Sequence, residues 1–379
     1  MNSVRIVLGL LVALIGGPVA AQGDHRARVD DLAKPLLEQD GIVGFVVGLV
    51  HAGDAEVYGF GRTSRESDRA PSGETVYEIG SITKVFTAII LAEMARRELV
   101  DLNDPVKGLL PDGVKIPILG EKEITLLHLS THTSGLPRMP SNFRPKDGRN
   151  PYADYGPEQL YAYLLTSELN NEPGEKYSYS NLGVGLLGHA LSLRAEKPYE
   201  ELVVEWIARP LGMARTSITL SEEMRESLAP AHSARGRPVS NWDLNVFAAA
   251  GGIRSTTNDL IRFIRAQINL SPEELAPAFR ATHQGRFPRR GGEIGLGWHL
   301  QGKAGDGKRL LLHNGQTGGY HGFLGFDPEM KVGVVVLANS ARRDFDKLGL
   351  SLLRMLQEGS QAQKRPKRVY SGRRLMVKI

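Results

Sequence analysis

Strand-like segments stand at both ends of this chain, and the long stretch between them is not strand-like. Ile42 to Val50 is a β-rich apolar run, and a Gly53-Asp54 turn leads from it into Ala55 to Phe60, which reads as a hairpin. Near the other end, Leu310-Leu311-Leu312-His313, Gly322 to Phe326 and Val332 to Leu337 are short, apolar and separated by turn residues. From about Asp101 to Pro238 the chain turns to helices and loops. Helical spacing is clearest at Ile124 to Leu129, Pro157 to Leu165, Leu182 to Leu193 and Tyr199 to Ala208. Further helices are expected at Ala27 to Glu38, within Phe247 to Arg265 after the polar cap Ser255 to Asp259, and at Phe345 to Leu356. Such an order implies one sheet assembled from both termini, helices covering it, and a mainly helical subdomain inserted at roughly 101–240.

The first twenty-one residues read as an address rather than as fold. A short positive segment from Met1 to Arg5 precedes apolar Ile6 to Ile15, and Val19-Ala20-Ala21 suits cleavage before Gln22. The apolar part is too short for a comfortable membrane span, and no later segment reaches span length. The expected location is therefore periplasmic or secreted, with no membrane span after cleavage. Cys is absent, so disulfides, thiolate chemistry and lipidation at Cys are excluded.

The net charge of +5 arises in the tail at 360–379. There Lys364, Arg365, Lys367, Arg368, Arg373, Arg374 and Lys378 stand without one acid, and the rest of the chain is slightly acidic. A solvated tail is the plain reading. Only Tyr370 interrupts it, so the interleaved aromatics of a nucleic-acid platform are missing, and no nucleic-acid partner is expected. The folded unit is expected over 22–359.

Within that unit, Tyr77-Glu78-Ile79-Gly80-Ser81-Ile82-Thr83-Lys84 opens an apolar run with the spacing and length of a buried helix. Residues i and i+3 share a helix face, so Lys84 can reach the hydroxyl of Ser81. The helix N-terminus adds free N–H groups and the positive end of a dipole, which suit a nucleophile whose product is an oxyanion. Alone, Ser-x-x-Lys is a weak signal and reads first as an N-cap serine with a solvated lysine one turn on. Two further segments weigh against that reading. Pro173-Gly174 introduces Tyr177-Ser178-Tyr179-Ser180-Asn181 just before a helix, and His313-Asn314-Gly315-Gln316-Thr317-Gly318-Gly319 follows a strand into a glycine-rich stretch.

Together these resemble the serine β-lactamase and penicillin-recognising peptidase superfamily, most closely its class C-like branch of β-lactamases, soluble DD-carboxypeptidases and related esterases. Ser81-x-x-Lys84, Tyr179-Ser180-Asn181 and His313-Asn314-Gly315 match in order, the last at the place of Lys-Thr-Gly. Leu127 to Pro137 and Phe326-Asp327-Pro328 add to the match, which spans roughly Ala27 to Leu356. The resemblance implies an α+β fold: an antiparallel sheet flanked by helices, with the site between sheet and helical subdomain. It also implies acyl transfer through Ser81, assisted by Lys84 and Tyr179, on a small molecule or a peptidoglycan peptide. The oxyanion would meet the N–H groups of Ser81 and Gln316. Asn181 would bond the substrate amide or Lys84, and His313 and Thr317 would face the substrate's carboxylate side.

Either Lys84 or Tyr179 could be the working base. A phenolate at Tyr179 near neutrality needs about 4 kcal/mol of differential stabilisation, which Lys84 and His313 together could supply. Two departures bear on substrate. His313 stands where most β-lactamases carry Lys, and Met139 follows Leu136-Pro137-Arg138 where class C enzymes offer Gln. No cofactor is implied, and no His-Glu-x-x-His spacing suggests a metal. His128 and His132 read as structural or loop-positioning, Gly295 to Trp298 as the start of a strand, and the oligomeric state stays open.

Overall fold

The computed structural model describes residues 25–51, 53–302 and 309–364, with side chains to Ser360. The expected signal over 1–21 and most of the basic tail lie outside the described residues. Helix α1 (Arg26–Leu37) leads into hairpin β1 (Gly44–His51) and β2 (Asp54–Gly61), then β3 (Val76–Glu78), a 3₁₀ turn at Gly80–Ile82 and α2 (Thr83–Arg96). The middle holds α3 (Leu126–Ser130), α4 (Pro157–Thr166), α5 (Asn181–Ala195), α6 (Tyr199–Val203) continued by a π-helical turn to Ala208, α7 (Glu222–Ser227) and α8 (Ala248–Gly251). After β4 (Arg254–Thr256) come α9 (Thr257–Asn269) and α10 (Ala276–Thr282). Strands β5 (Phe287–Arg289), β6 (Gly292–Ile294), β7 (His299–Gln301), β8 (Leu310–Gln316), β9 (His321–Asp327) and β10 (Val332–Ala338) precede α11 (Asp344–Lys364). The last helix thus runs past residue 359, where the sequence reading begins the tail.

The main sheet is antiparallel, in the order β2-β1-β10-β9-β8-β7-β6-β5. N-terminal β1 pairs with C-terminal β10, Val47 opposite Val336, so the sheet is closed by both ends of the chain. Both strands are buried on both faces, and the period of two sorts their side chains between two cores. Phe45, Val47, Leu49, Val334 and Val336 pack with Phe345 and Leu352 of α11 and Val29 of α1. Val46, Val50, Val335 and Leu337 pack toward Ile261 and Ile264 of α9 and the body of α2. Each fully buried Val, Leu or Phe contributes about 1.5–3 kcal/mol of hydrophobic transfer, so a one-residue slip of register would forfeit many such terms at once.

Helix α2 is buried from Thr83 through Met94, the pattern of a central helix with no solvent face. Its start is fixed by Gly80, at φ +52°, where a Cβ would fall 2.6 Å from the nitrogen of Gln316. Gly315 is as constrained from the other side, since its Cβ would stand 1.9 Å from the oxygen of Ile79. These two glycines let the 3₁₀ turn and β8 meet backbone to backbone.

Candidate active site

Ser81 lies inside the 3₁₀ turn, one residue before the α2 N-cap Ile82, and does not cap that helix. Its Oγ is instead 3.0 Å from Lys84 Nζ, which also donates to the carbonyl of Ala250 at 2.6 Å. Lys84 is 2 % exposed and has no acid partner among the described residues. Burial, and after it the charge of Arg138, pulls its pKa well below the usual lysine value. The solvated-lysine reading is therefore excluded.

Tyr179 reaches the same place from the turn before α5. Ser180 caps that helix, its hydroxyl accepting from the N–H of Gly183 at 2.8 Å and donating to Pro137 O at 2.6 Å. The phenol of Tyr179 is hydrogen-bonded to Ser81, while Lys84 Nζ stands 5.0 Å from the ring centroid. Burial pushes the phenol up to about 12, more than the bond from Ser81 and the charge of Arg138 lower it. The environment thus favours a neutral phenol beside an amine pressed toward its neutral form.

His313 differs from expectation. It is 2 % exposed, its Nδ1 is 2.6 Å from the carbonyl of Asn314, and burial followed by the charges of His299 and Lys84 drives its pKa well below the ordinary imidazole value. An uncharged His313 cannot be the second cation at a Tyr179 phenolate. Arg138 holds the place of that cation, its Cζ 5.0 Å from the Tyr179 centroid.

Ser81, Asn181, Gln316 and Thr317 share a small cleft of about 40 Å³, walled by Tyr152, Trp242 and Phe247. A Cβ on Gly315 would lie 2.9 Å from the nitrogen of Ser81, and one on Gly80 is close to that of Gln316, so the two backbone N–H groups belong to strands of chain in direct contact. Asn181 donates weakly to the sulfur of Met139 at 3.8 Å, and its carbonyl oxygen is buried without a partner. The Thr317 hydroxyl and His313 Nε2 are also buried and unpartnered. Lys84 gives its bonds to Ser81 and Ala250, so the amide of Asn181 is left to face the cleft.

The two outlying histidines take positioning places. His128 forms a capping box with Thr125 at the start of α3. His132, at φ +58°, accepts the N–H of Ser178 on its carbonyl (2.8 Å) and that of Ser180 on Nδ1 (3.2 Å), and its ring lies 4.4 Å from that of Tyr179. It grips the chain on both sides of Tyr179. Sequence reasoning did not single out His299, 5.0 Å from His313 and pushed down to about 3 by burial and then Arg289, nor Arg138 or the aromatic wall. The only local signal was the Gly297-Trp298 strand start before His299. For Arg138, sequence gives a charge next to a matched motif but no direction.

Comparison with known proteins agrees with this architecture. The Beta-lactamase family matches residues 29–357. A β-lactamase of Pseudomonas fluorescens is 28% identical over 351 residues, covering 83% of this chain and 94% of its own. The D-alanyl-D-alanine-carboxypeptidase/endopeptidase AmpH of Escherichia coli K12 is 29% identical over 328 residues, 82% of each chain. Among solved structures, a β-lactamase/D-alanine carboxypeptidase from Yersinia pestis superposes with a TM-score of 0.76 at 28% identity, covering 87% of this chain and 97% of that one. With the family matched over nearly all of the described chain and the fold shared, this protein belongs to the Beta-lactamase family of serine hydrolases.

Proposed function

We propose that the protein forms an acyl-enzyme at Ser81 and hydrolyses a cyclic amide or D-alanyl peptide, as its β-lactamase and DD-carboxypeptidase relatives are named for doing. The observation that carries this reading is Lys84: an enclosed amine without a carboxylate, 3.0 Å from the Ser81 hydroxyl. Its lowered pKa makes Lys84 the acylation base. Neutral Nζ takes the proton of Ser81 as Oγ attacks the carbonyl carbon. The developing oxyanion is met by the N–H groups of Ser81 and Gln316. Tyr179, still carrying its proton, donates it to the leaving nitrogen and is resupplied by Lys84, which holds the proton taken from Ser81. In the second half the same pair accepts the proton of the attacking water and passes one to Ser81 Oγ as the acyl group leaves.

A cleaved signal over residues 1–21 and a periplasmic or secreted location go with this substrate class. No helix of the described residues is long and apolar enough to cross a membrane.

One observation favours a second reading, a carboxylesterase on the same site. His313 is held uncharged, so position 313 offers a substrate carboxylate no fixed cation. Incubation with a labelled penicillin, read by intact mass against a Ser81→Ala control, separates the two. A covalent adduct at Ser81 supports the first; p-nitrophenyl ester turnover without an adduct supports the second. Neither signal would leave a catalytically idle protein that keeps the fold.

A further inference from the structure

The polar surroundings of Tyr179 hold Lys84, His132, His299, His313 and Arg138, and no carboxylate bonds to any of them among the described residues. Burial holds the three imidazoles uncharged, and Lys84 is enclosed. Arg138 is different: it is exposed, fully charged by its chemistry, and forms no ion pair among the described residues. Its backbone is nonetheless fixed. The carbonyl of Arg138 accepts from the N–H groups of Asn181 (3.0 Å) and Leu182 (3.2 Å), which ties its backbone to the first turn of α5. Its guanidinium then lies against the Tyr179 ring, at 5.0 Å from the centroid. Its charge bears on Lys84, His132, Tyr152, Tyr177 and Tyr179, so it is felt both in the catalytic cluster and at the aromatic wall of the cleft. The neighbouring Met139 presents only a thioether to Asn181, whose Oδ1 remains a buried, unpartnered acceptor.

We propose that Arg138 is a specificity-determining anion site, selecting substrates that carry a carboxylate on the acyl side chain where it emerges past Asn181. A guanidinium takes a carboxylate in a two-point bond, and its planar fork is preorganised, so less freedom is lost for each hydrogen bond formed. The neutral His313 and the charged Arg138 together place the fixed positive charge on the Asn181 side of the cleft rather than on the β8 side. This inference rests on the acyl-enzyme reading and deepens it.

The test uses two penicillins that differ by one carboxylate on the acyl side chain, carbenicillin and benzylpenicillin, with the second-order rate of Ser81 acylation followed by mass spectrometry on the mature chain. The native protein is expected to favour carbenicillin. The ratio of the two rates should fall about 10-fold in both Arg138→Ala and Arg138→Gln, be largely retained in Arg138→Lys, and shrink with rising ionic strength. Equal slowing with both penicillins, together with a displaced pH profile, would mean that Arg138 only tunes Lys84 and would overturn the proposal, as would an unchanged ratio. If neither penicillin labels Ser81, the same ratio is read with the p-nitrophenyl half-ester of glutarate against p-nitrophenyl valerate. Ester turnover without an Arg138-dependent preference sinks this inference alone. No labelling and no turnover sinks the acyl-enzyme reading as well.

Discussion

Helix α2 buries a charge-bearing residue near each end and treats the two oppositely. Glu93, 1 % exposed, receives Arg96 in two bonds of 2.8 and 2.7 Å and Arg97 in one of 2.7 Å. Burial raises its pKa, but those bonds outweigh burial and leave it below the usual carboxylate value. Lys84, equally enclosed, has a hydroxyl and a carbonyl for partners and feels the like charge of Arg138. The glutamate is what a stable fold makes of a buried charge; the lysine is kept short of partners so that it can lose its proton. The same contrast runs through the wider structure. Asp259, also buried, accepts from the backbone N–H of Arg215, the hydroxyl of Thr216 and the guanidinium of Arg262, whereas Asn181, His313 and Thr317 present unpartnered atoms around the cleft.

The largest break in that contrast comes from Lys84→Met. Acylation by penicillin should fall by about 10³- to 10⁴-fold. Thermal stability at neutral pH should rise by about 1–2 kcal/mol, because a poorly compensated buried amine is replaced by an apolar chain. The lowered folded pKa means the unfolded chain binds more protons between the two values, so the native protein gains stability as pH climbs toward the ordinary lysine value of 10.5. The advantage of the variant should shrink over that interval and be gone above it. A variant no more stable than the parent at neutral pH would show Lys84 to be well accommodated.

Tyr179→Phe should slow acylation by about 10²- to 10³-fold yet keep the alkaline-rising limb of its pH dependence, since that limb belongs to Lys84. Loss of the limb in this variant would make Tyr179 the base. Glu93→Gln inverts the lysine result: acylation is unchanged while stability drops by about 2 kcal/mol, a modest figure because Arg96 and Arg97 are 43% and 42% exposed. A depressed folded pKa gives stability that is present above the unfolded value and lost as pH falls through the folded one. The gap between variant and parent should therefore close on acidification below about pH 4.5. His132→Asn, which tolerates the left-handed backbone but removes the ring beneath Tyr179, should cost about 10-fold in acylation and little stability. Loss of fold in that variant would mark His132 as core rather than positioning.

Much of the secondary structure was legible because it is encoded locally. The apolar runs at 42–50, 322–326 and 332–337 became β1, β9 and β10, and Thr256 caps α9 by accepting from the N–H of Asp259. The short strands β5 and β6 escaped notice. Phe287-Pro288-Arg289 and Gly292-Glu293-Ile294 carry no alternating apolar pattern, and they are strands because the sheet edge offers them partners. The meeting of residues 81, 84 and 179 was inferred from motif order, while Arg138 and His299 were missed because nothing in their local sequence reports which way they point.

By itself the sequence determined which residues can do chemistry and which stretches become helix or strand, since hydrogen-bonding type, apolar period and capping are properties of neighbours along the chain. Tertiary structure alone decided the state of those groups. An amine pressed toward neutrality, a phenol held near 12 and an imidazole left uncharged each follow from exclusion of water and from charges contributed by distant segments. Desolvation and Coulomb energies depend on distances through space, and those exist only once β8, α2 and α5 have packed together.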